Sequence, residues 1–193
     1  MFPRSFYFVR HGETDWNKEG RIQGHTDIPL NQTGRIQAEQ VVPVLARLPI
    51  DRIVVSGLSR AYETASIINA ALQKPLNVDE GLRERYFGDF EGLDIAQMDE
   101  LRNGMLQKGR PAEENGYPCP PKGEPYADFR VRTTAAFLRN LEAFEDQRIL
   151  FVSHGGVYRV LRRCLFTELD HSGNVQPFHF EKQDNVWALT LLK

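Results

Sequence analysis

Arg10 and His11 follow directly on the apolar and aromatic run Ser5 to Val9. A histidine attacks a phosphoryl group only as neutral imidazole, and a neighbouring cation disfavours its protonation. Arg10 beside His11 is the pairing that a nucleophilic histidine would use. The phosphoryl group needs positive donors on its equatorial oxygens during transfer, and guanidinium groups suit that geometry better than ammonium groups. Arg10 and Arg60 are the candidates, with His154 as a third donor. The leaving alkoxide needs a proton, which a carboxylic acid in a partly desolvated site can supply and later recover from water. Spacing alone leaves Glu13, Glu84, Asp89 and Glu91 competing for that role.

The elements that must position these groups are legible around them. Ser5 to Val9 reads as a buried strand ending at Arg10-His11-Gly12, Arg52 to Ser56 (RIVVS) as a second and Arg148 to Ser153 (RILFVS) as a third. Helical spacing follows in Thr33 to Leu48, where Ile36, Val41, Val44, Leu45 and Leu48 recur, Asn31 or Thr33 can cap, and Pro43 should kink the helix or shift its boundary. Further helices are predicted over Ser59 to Leu72, with Ala61, Ala65, Ile68 and Leu72 on one face, over Tyr126 to Phe144 and over Val157 to Phe166. Strand-then-helix units imply parallel strands, whose ligand groups gather beyond their carboxyl ends. The expected fold is α/β, a three-layer α/β/α sandwich around a mostly parallel sheet, in one domain over 1–193.

Gly81 to Pro125 is less regular and holds five of the eleven prolines between Pro111 and Pro125, so a lid or insertion is expected at about 93–125. Its aromatics Tyr86, Phe87, Phe90 and Tyr117 hint at a substrate with ring or apolar character beside its phosphate. The final residues read as two strands about a turn near Gln183-Asp184-Asn185, and the apolar segment Phe178 to Leu192 should either complete the sheet or cover a homodimer interface.

The stretch FVRHGETDWNKEGRIQGHTDIPLNQTGRIQA resembles the opening signature of the histidine phosphatase (phosphoglycerate mutase-like) superfamily, where Arg-His-Gly supplies the nucleophile. The resemblance continues through SGLSRAYETASII, LRERYFGDFEG and VSHGGVYRVL in the family's order. It implies that His11 is the nucleophile, Arg10 and Arg60 bind phosphate, Glu84 is the proton donor and His154 is the second histidine. Asn17, Gln23, Gly24 and Gly155 then line the substrate site. Lys122-Gly123-Glu124 resembles a Gly-Gly-Glu-Ser turn of family phosphatases, with Pro125 in place of the serine. The implied chemistry is attack by His11 on a small phosphomonoester, followed by hydrolysis of the phosphohistidine with no cofactor or metal.

The nearest rival is a 2,3-bisphosphoglycerate-dependent mutase sharing the same core, and a more distant one is a non-catalytic phospho-ligand binding domain. Only 70 positions separate Glu84 from His154, and Leu93 to Pro125 carries four basic residues (Arg102, Lys108, Arg110, Lys122) against six acidic ones (Asp94, Asp99, Glu100, Glu113, Glu114, Glu124). Both features favour hydrolysis, because little material and little positive charge are available to shield a phosphoenzyme.

Composition closes off other classes. At 193 residues, 41% hydrophobic, 26% charged and a formal charge of −2, the chain is ordinary globular protein, with no global reason to bind nucleic acid or an anionic membrane. The first residues are too short an apolar run for a signal or a span, so a cytoplasmic protein is expected. Cys119 and Cys164 lack metal or disulfide spacing, and His25, His171 and His179 read as structural. There is no GxxxxGK[ST] or GxGxxG loop for a nucleotide.

Overall fold

A computed structural model describes residues 2–166, 172–184 and 186–193. His171 and Asn185, with the turn expected there, lie outside these residues. The elements run β1 (Phe6–Arg10), α1 (Asp15–Lys18), α2 (Gln32–Gln40), α3 (Val42–Leu45), β2 (Arg52–Val55), α4 (Ser59–Leu72), β3 (Leu76–Val78), α5 (Ile95–Gln107), α6 (Tyr126–Ala143), β4 (Ile149–Ser153), α7 (Gly155–Leu165), β5 (Pro177–Gln183) and β6 (Val186–Leu191). Short 3-10 turns occupy Glu80–Leu82 and Gly88–Phe90.

The six strands form one sheet in the order β3-β2-β4-β1-β5-β6. β3, β2, β4 and β1 pair in parallel, while β5 is antiparallel to both β1 and β6. The alternation of each strand separates two cores. Phe6, Phe8 and Phe151 meet Phe129 and Phe137 of α6 and Val160 and Leu161 of α7 on one face. Tyr7, Val9, Leu150 and Val152 meet Leu45 of α3 and Ala61, Ala65 and Ile68 of α4 on the other. Strands apolar on both faces are what a sheet covered by two helical layers requires. The expected α/β/α sandwich is the observed one, and Phe178 to Leu192 completes its edge.

The helical segment before β2 breaks at Val41, and Pro43 falls in the first turn of α3, where a missing N–H costs nothing. Asn31 caps α2 by accepting from Gly34 N at 2.9 Å. Ile36, one of the apolar residues at helical spacing, is 41% exposed, because Gly34 and Ala38 form the inward side of α2.

Three elements were not anticipated, the first being the four-residue α1, capped by Thr14. β3 has three residues and follows Pro75 at the sheet edge, with Asn77 and Val78 exposed. α5 runs through the segment expected to be irregular. It buries only Met98 and Arg102, leaves Ile95 and Leu101 exposed and carries Gly104 mid-helix, so no apolar stripe announced it.

Candidate active site

Strand register assembles the site. Arg10 lies opposite Ser153, and His11 N donates to Ser153 O at 2.9 Å, so the residues just past β1 and β4, His11 and His154, become neighbours. Their ring centroids are 5.2 Å apart. Ser56, just past β2, joins the row through Ser56 N donating to Val152 O at 3.1 Å.

His11 is 3% exposed, and its Nδ1 sits 2.7 Å from Gly12 O. A carbonyl oxygen only accepts, so Nδ1 carries the hydrogen and the neutral ring keeps its lone pair on Nε2. Burial, reinforced by Arg60 and Arg10, holds the imidazole pKa well below its ordinary value. The backbone around it is fastened by Gly12 N to Thr64 Oγ1 at 3.0 Å and Asn174 Nδ2 to His11 O at 2.8 Å. A side chain at Gly12 would put its Cβ 2.4 Å from Gly34 O, which is why this loop can lie against α2.

Arg60 enters from the first turn of α4 and is 1% exposed. It donates to Thr26 O at 3.1 Å and to Gly24 O at 2.8 Å, and burial brings its pKa down to about 10. Arg10 donates through Nη1 to Ser172 O at 2.9 Å. The Nε atoms of both arginines and Nδ1 of His154 are buried without a hydrogen-bond partner. Buried donors are nearly always satisfied. Three orphans around one histidine describe a place for an anion.

His154 is fully buried beside the His11 ring. Burial and Arg60 keep it neutral, with its pKa well below the ordinary value. Its Nε2 lies 2.8 Å from Ser56 Oγ, and Leu58 N donates to that same oxygen at 3.3 Å. The hydroxyl can therefore give its hydrogen to Nε2, leaving Nδ1–H as the unpaired donor.

The four carboxylates separate cleanly. Glu91 accepts from His25 N, Thr26 N, Thr26 Oγ1 and Phe87 N at 2.6–3.0 Å and is committed to holding loops together. Glu13 accepts from Asn31 Nδ2 at 2.9 Å, and Asp89 pairs with Lys122 at 3.1 Å on the surface. Glu84 shares a cavity of about 300 Å³ with His11, Arg10 and Arg60. Its Oε2 accepts from Gly156 N and its Oε1 from Arg85 N, each at 2.8 Å. Its own carbonyl accepts from His25 Nε2 at 2.8 Å and Arg132 Nη2 at 2.7 Å.

Asn17, Gln23 and Gly24 line this cavity; Gly155 does not, and packs against the Arg10 guanidinium. Sequence reading missed Gly156, where an added Cβ would meet Glu84 Oε1 at 1.9 Å. It also missed Arg132 of α6, which donates to the carbonyls of Gly81, Arg83 and Glu84 and is paired with Glu124 at 2.6 Å. Glu124, from the Lys122-Gly123-Glu124 turn, thus braces the Glu84 loop. The Gly-Gly after His154 was a signal for the first; nothing local in α6 marked the second. Among the described residues no group of three or more His, Cys, Asp or Glu side chains could hold a metal, and no helix is long and apolar enough to cross a membrane.

The model of the histidine phosphatase superfamily (branch 1) matches residues 6–182. Phosphoglycerate mutase-like protein 4 of Arabidopsis thaliana is 39% identical over 79% of this chain and 67% of its own length. The adenosylcobalamin/alpha-ribazole phosphatase of Salmonella typhimurium is 32% identical over 94% of this chain and 87% of its length. The chain spans only 42% of a longer relative that matches 97% of it. A mycobacterial glucosyl-3-phosphoglycerate phosphatase, solved in complex with VO3, superposes with a TM-score of 0.81 at 30% identity, covering 97% of this chain and 98% of that one.

Proposed function

The chain belongs to the histidine phosphatase superfamily, branch 1, and from that membership we propose that it hydrolyses a small phosphomonoester through a phosphohistidine on His11. The observation that carries this is the His11 ring itself: neutral, with Nδ1 tied to Gly12 O, in one cavity with two arginines and an acid.

In the first step His11 Nε2 attacks phosphorus, the ester P–O bond breaks, and Glu84 gives its proton to the departing alkoxide. Arg10, Arg60 and His154 Nδ1–H stabilise the charge on the equatorial oxygens. In the second step Glu84 takes a proton from water, the hydroxide attacks the phosphohistidine, and the N–P bond breaks to release phosphate and the original imidazole. Hydrolysis over mutase-type return of the phosphoryl group is supported by the position of Glu84, which lines both this cavity and an adjoining chamber, a route by which water reaches it.

The test is phosphate release from a panel of phosphomonoesters in EDTA by the native chain and by His11→Ala, with 3-phosphoglycerate supplied with and without 2,3-bisphosphoglycerate. Release that survives EDTA and is lost in the variant is expected. Isomerisation of phosphoglycerate without release would make the mutase reading the right one.

A further inference from the structure

Beside the phosphoryl cavity lies a second chamber of about 450 Å³. The two share Ile22, Glu84, Phe87, Ile95 and Arg159 in their walls, so a group bonded to the transferring phosphoryl passes from one to the other at the proton donor.

Three features of the chamber lie outside the two-step reaction. Its sides are apolar and aromatic, with Ile95 and Met98 of α5, Phe87, Tyr117 and Phe129. Two of its cations, Arg85 and Arg102, are matched by Glu113 and Asp99 at 2.5 and 3.3 Å. The other two, Arg159 and Arg163, sit four residues apart on α7, on one side of the helix. Neither makes a hydrogen bond or ion pair among the described residues; Arg163 only lies over the Tyr126 ring at 5.3 Å. Finally, the Tyr126 hydroxyl and Arg102 Nε belong to lining side chains 6% and 9% exposed, and both are buried without a partner. Unsatisfied buried donors are costly unless something else accepts from them.

We infer that this chamber binds the alcohol portion of the substrate, and that this portion is a ring-bearing group carrying a second anion held by Arg159 and Arg163. The ring fits between Phe87, Ile95 and Met98, and the anion meets the guanidinium groups of Arg159 and Arg163. A three-carbon acid would leave most of 450 Å³ to water. The inference rests on the phosphatase reading and names its substrate class.

Phenyl phosphate, 4-carboxyphenyl phosphate and 3-phosphoglycerate are suitable probes. The carboxylated aryl ester should be turned over best. Its preference over phenyl phosphate, as a ratio of kcat/KM, should fall about tenfold in an Arg159→Gln/Arg163→Gln variant and recover largely with lysine at both positions. Comparing ratios cancels the intrinsic reactivity of the two leaving groups. An unchanged ratio, or 3-phosphoglycerate outperforming both aryl esters, would overturn the inference.

Calorimetric binding of 4-carboxyphenyl phosphate to His11→Ala, with and without the arginine pair, needs no turnover. About tenfold weaker binding without the pair supports the chamber even if no probe releases phosphate and the phosphatase reading falls. Equal binding overturns it.

Discussion

At the scale of single residues, Glu84 depends on a glycine. Its carboxylate is fixed by the amides of Arg85 and Gly156, and the second of these is reachable only because residue 156 has no side chain. Gly156→Ala places a methyl 1.9 Å from Glu84 Oε1 and should push the acid out of place. Loss of general acid–base catalysis costs on the order of 10²–10⁴ in rate, so kcat should fall by about 10²-fold or more with the fold intact. Gly155→Ala, whose Cβ stays 3.5 Å from Arg10, should lose far less. Steady-state kinetics on both variants decides it, and equal losses would show that Glu84 is not the group disturbed. This scale also shows where spacing ran out. Glu13, Asp89 and Glu91 were chemically equivalent to Glu84 until their hydrogen bonds committed each to another task.

At the scale of elements, the site is a product of packing between one loop and one helix. The residues after β1 cross α2 so closely that glycine is needed on both sides, with Gly12 against Gly34 O and a Cβ at Gly34 only 2.1 Å from Glu13 O. Gly34→Ala meets rigid backbone, and overpacking of this kind costs about 1–3 kcal/mol. It should also lower activity, because the backbone it displaces adjoins His11. Asn31→Ala removes the α2 cap, at about 1 kcal/mol, and the hydrogen bond to Glu13, and should leave turnover largely unchanged. Urea unfolding and phosphate release, measured on both, separate the two. A Gly34→Ala enzyme of native stability and rate would mean the crossing is not rigid. The parallel strands were readable because β1, β2 and β4 are apolar on both faces, whereas α5 shows no such pattern and became a helix with help from its Asp94 and Gln97 capping box.

At the scale of the whole molecule, burying two histidines links stability to pH. His11 and His154 have folded pKa values well below ordinary, chiefly through burial, and that of His179 is lowered too. In the unfolded chain each binds a proton near about 6.5. Below that pH the unfolded state therefore holds more protons than the folded one. The stability these residues contribute is complete above about pH 6.5 and is lost as pH falls. For the buried pair the slope should approach about 2–3 kcal/mol per pH unit. Urea denaturation between pH 7.5 and 5 should show it, and His154→Gln should roughly halve it. Asp51, held at about 2 by hydrogen bonds from Arg148, loses its contribution only at lower pH and leaves this window clear. A flat profile would mean that the pair takes up its protons at the same pH in the native state as in the unfolded chain.

Sequence by itself determined the layers of the fold, because strands apolar on both faces and helices with one apolar side admit few arrangements. It also marked His11, Arg10, Arg60 and His154, since each stands where a strand ends or a helix begins. Spacing left Glu13, Glu84, Asp89 and Glu91 open and the family resemblance named Glu84; tertiary structure alone decided which glycine makes room for it, and that Arg132 and Glu124 brace its loop. Those choices depend on Glu84 meeting Arg132 and Gly156, 48 and 72 positions away, and no local pattern of residue types encodes such a distance.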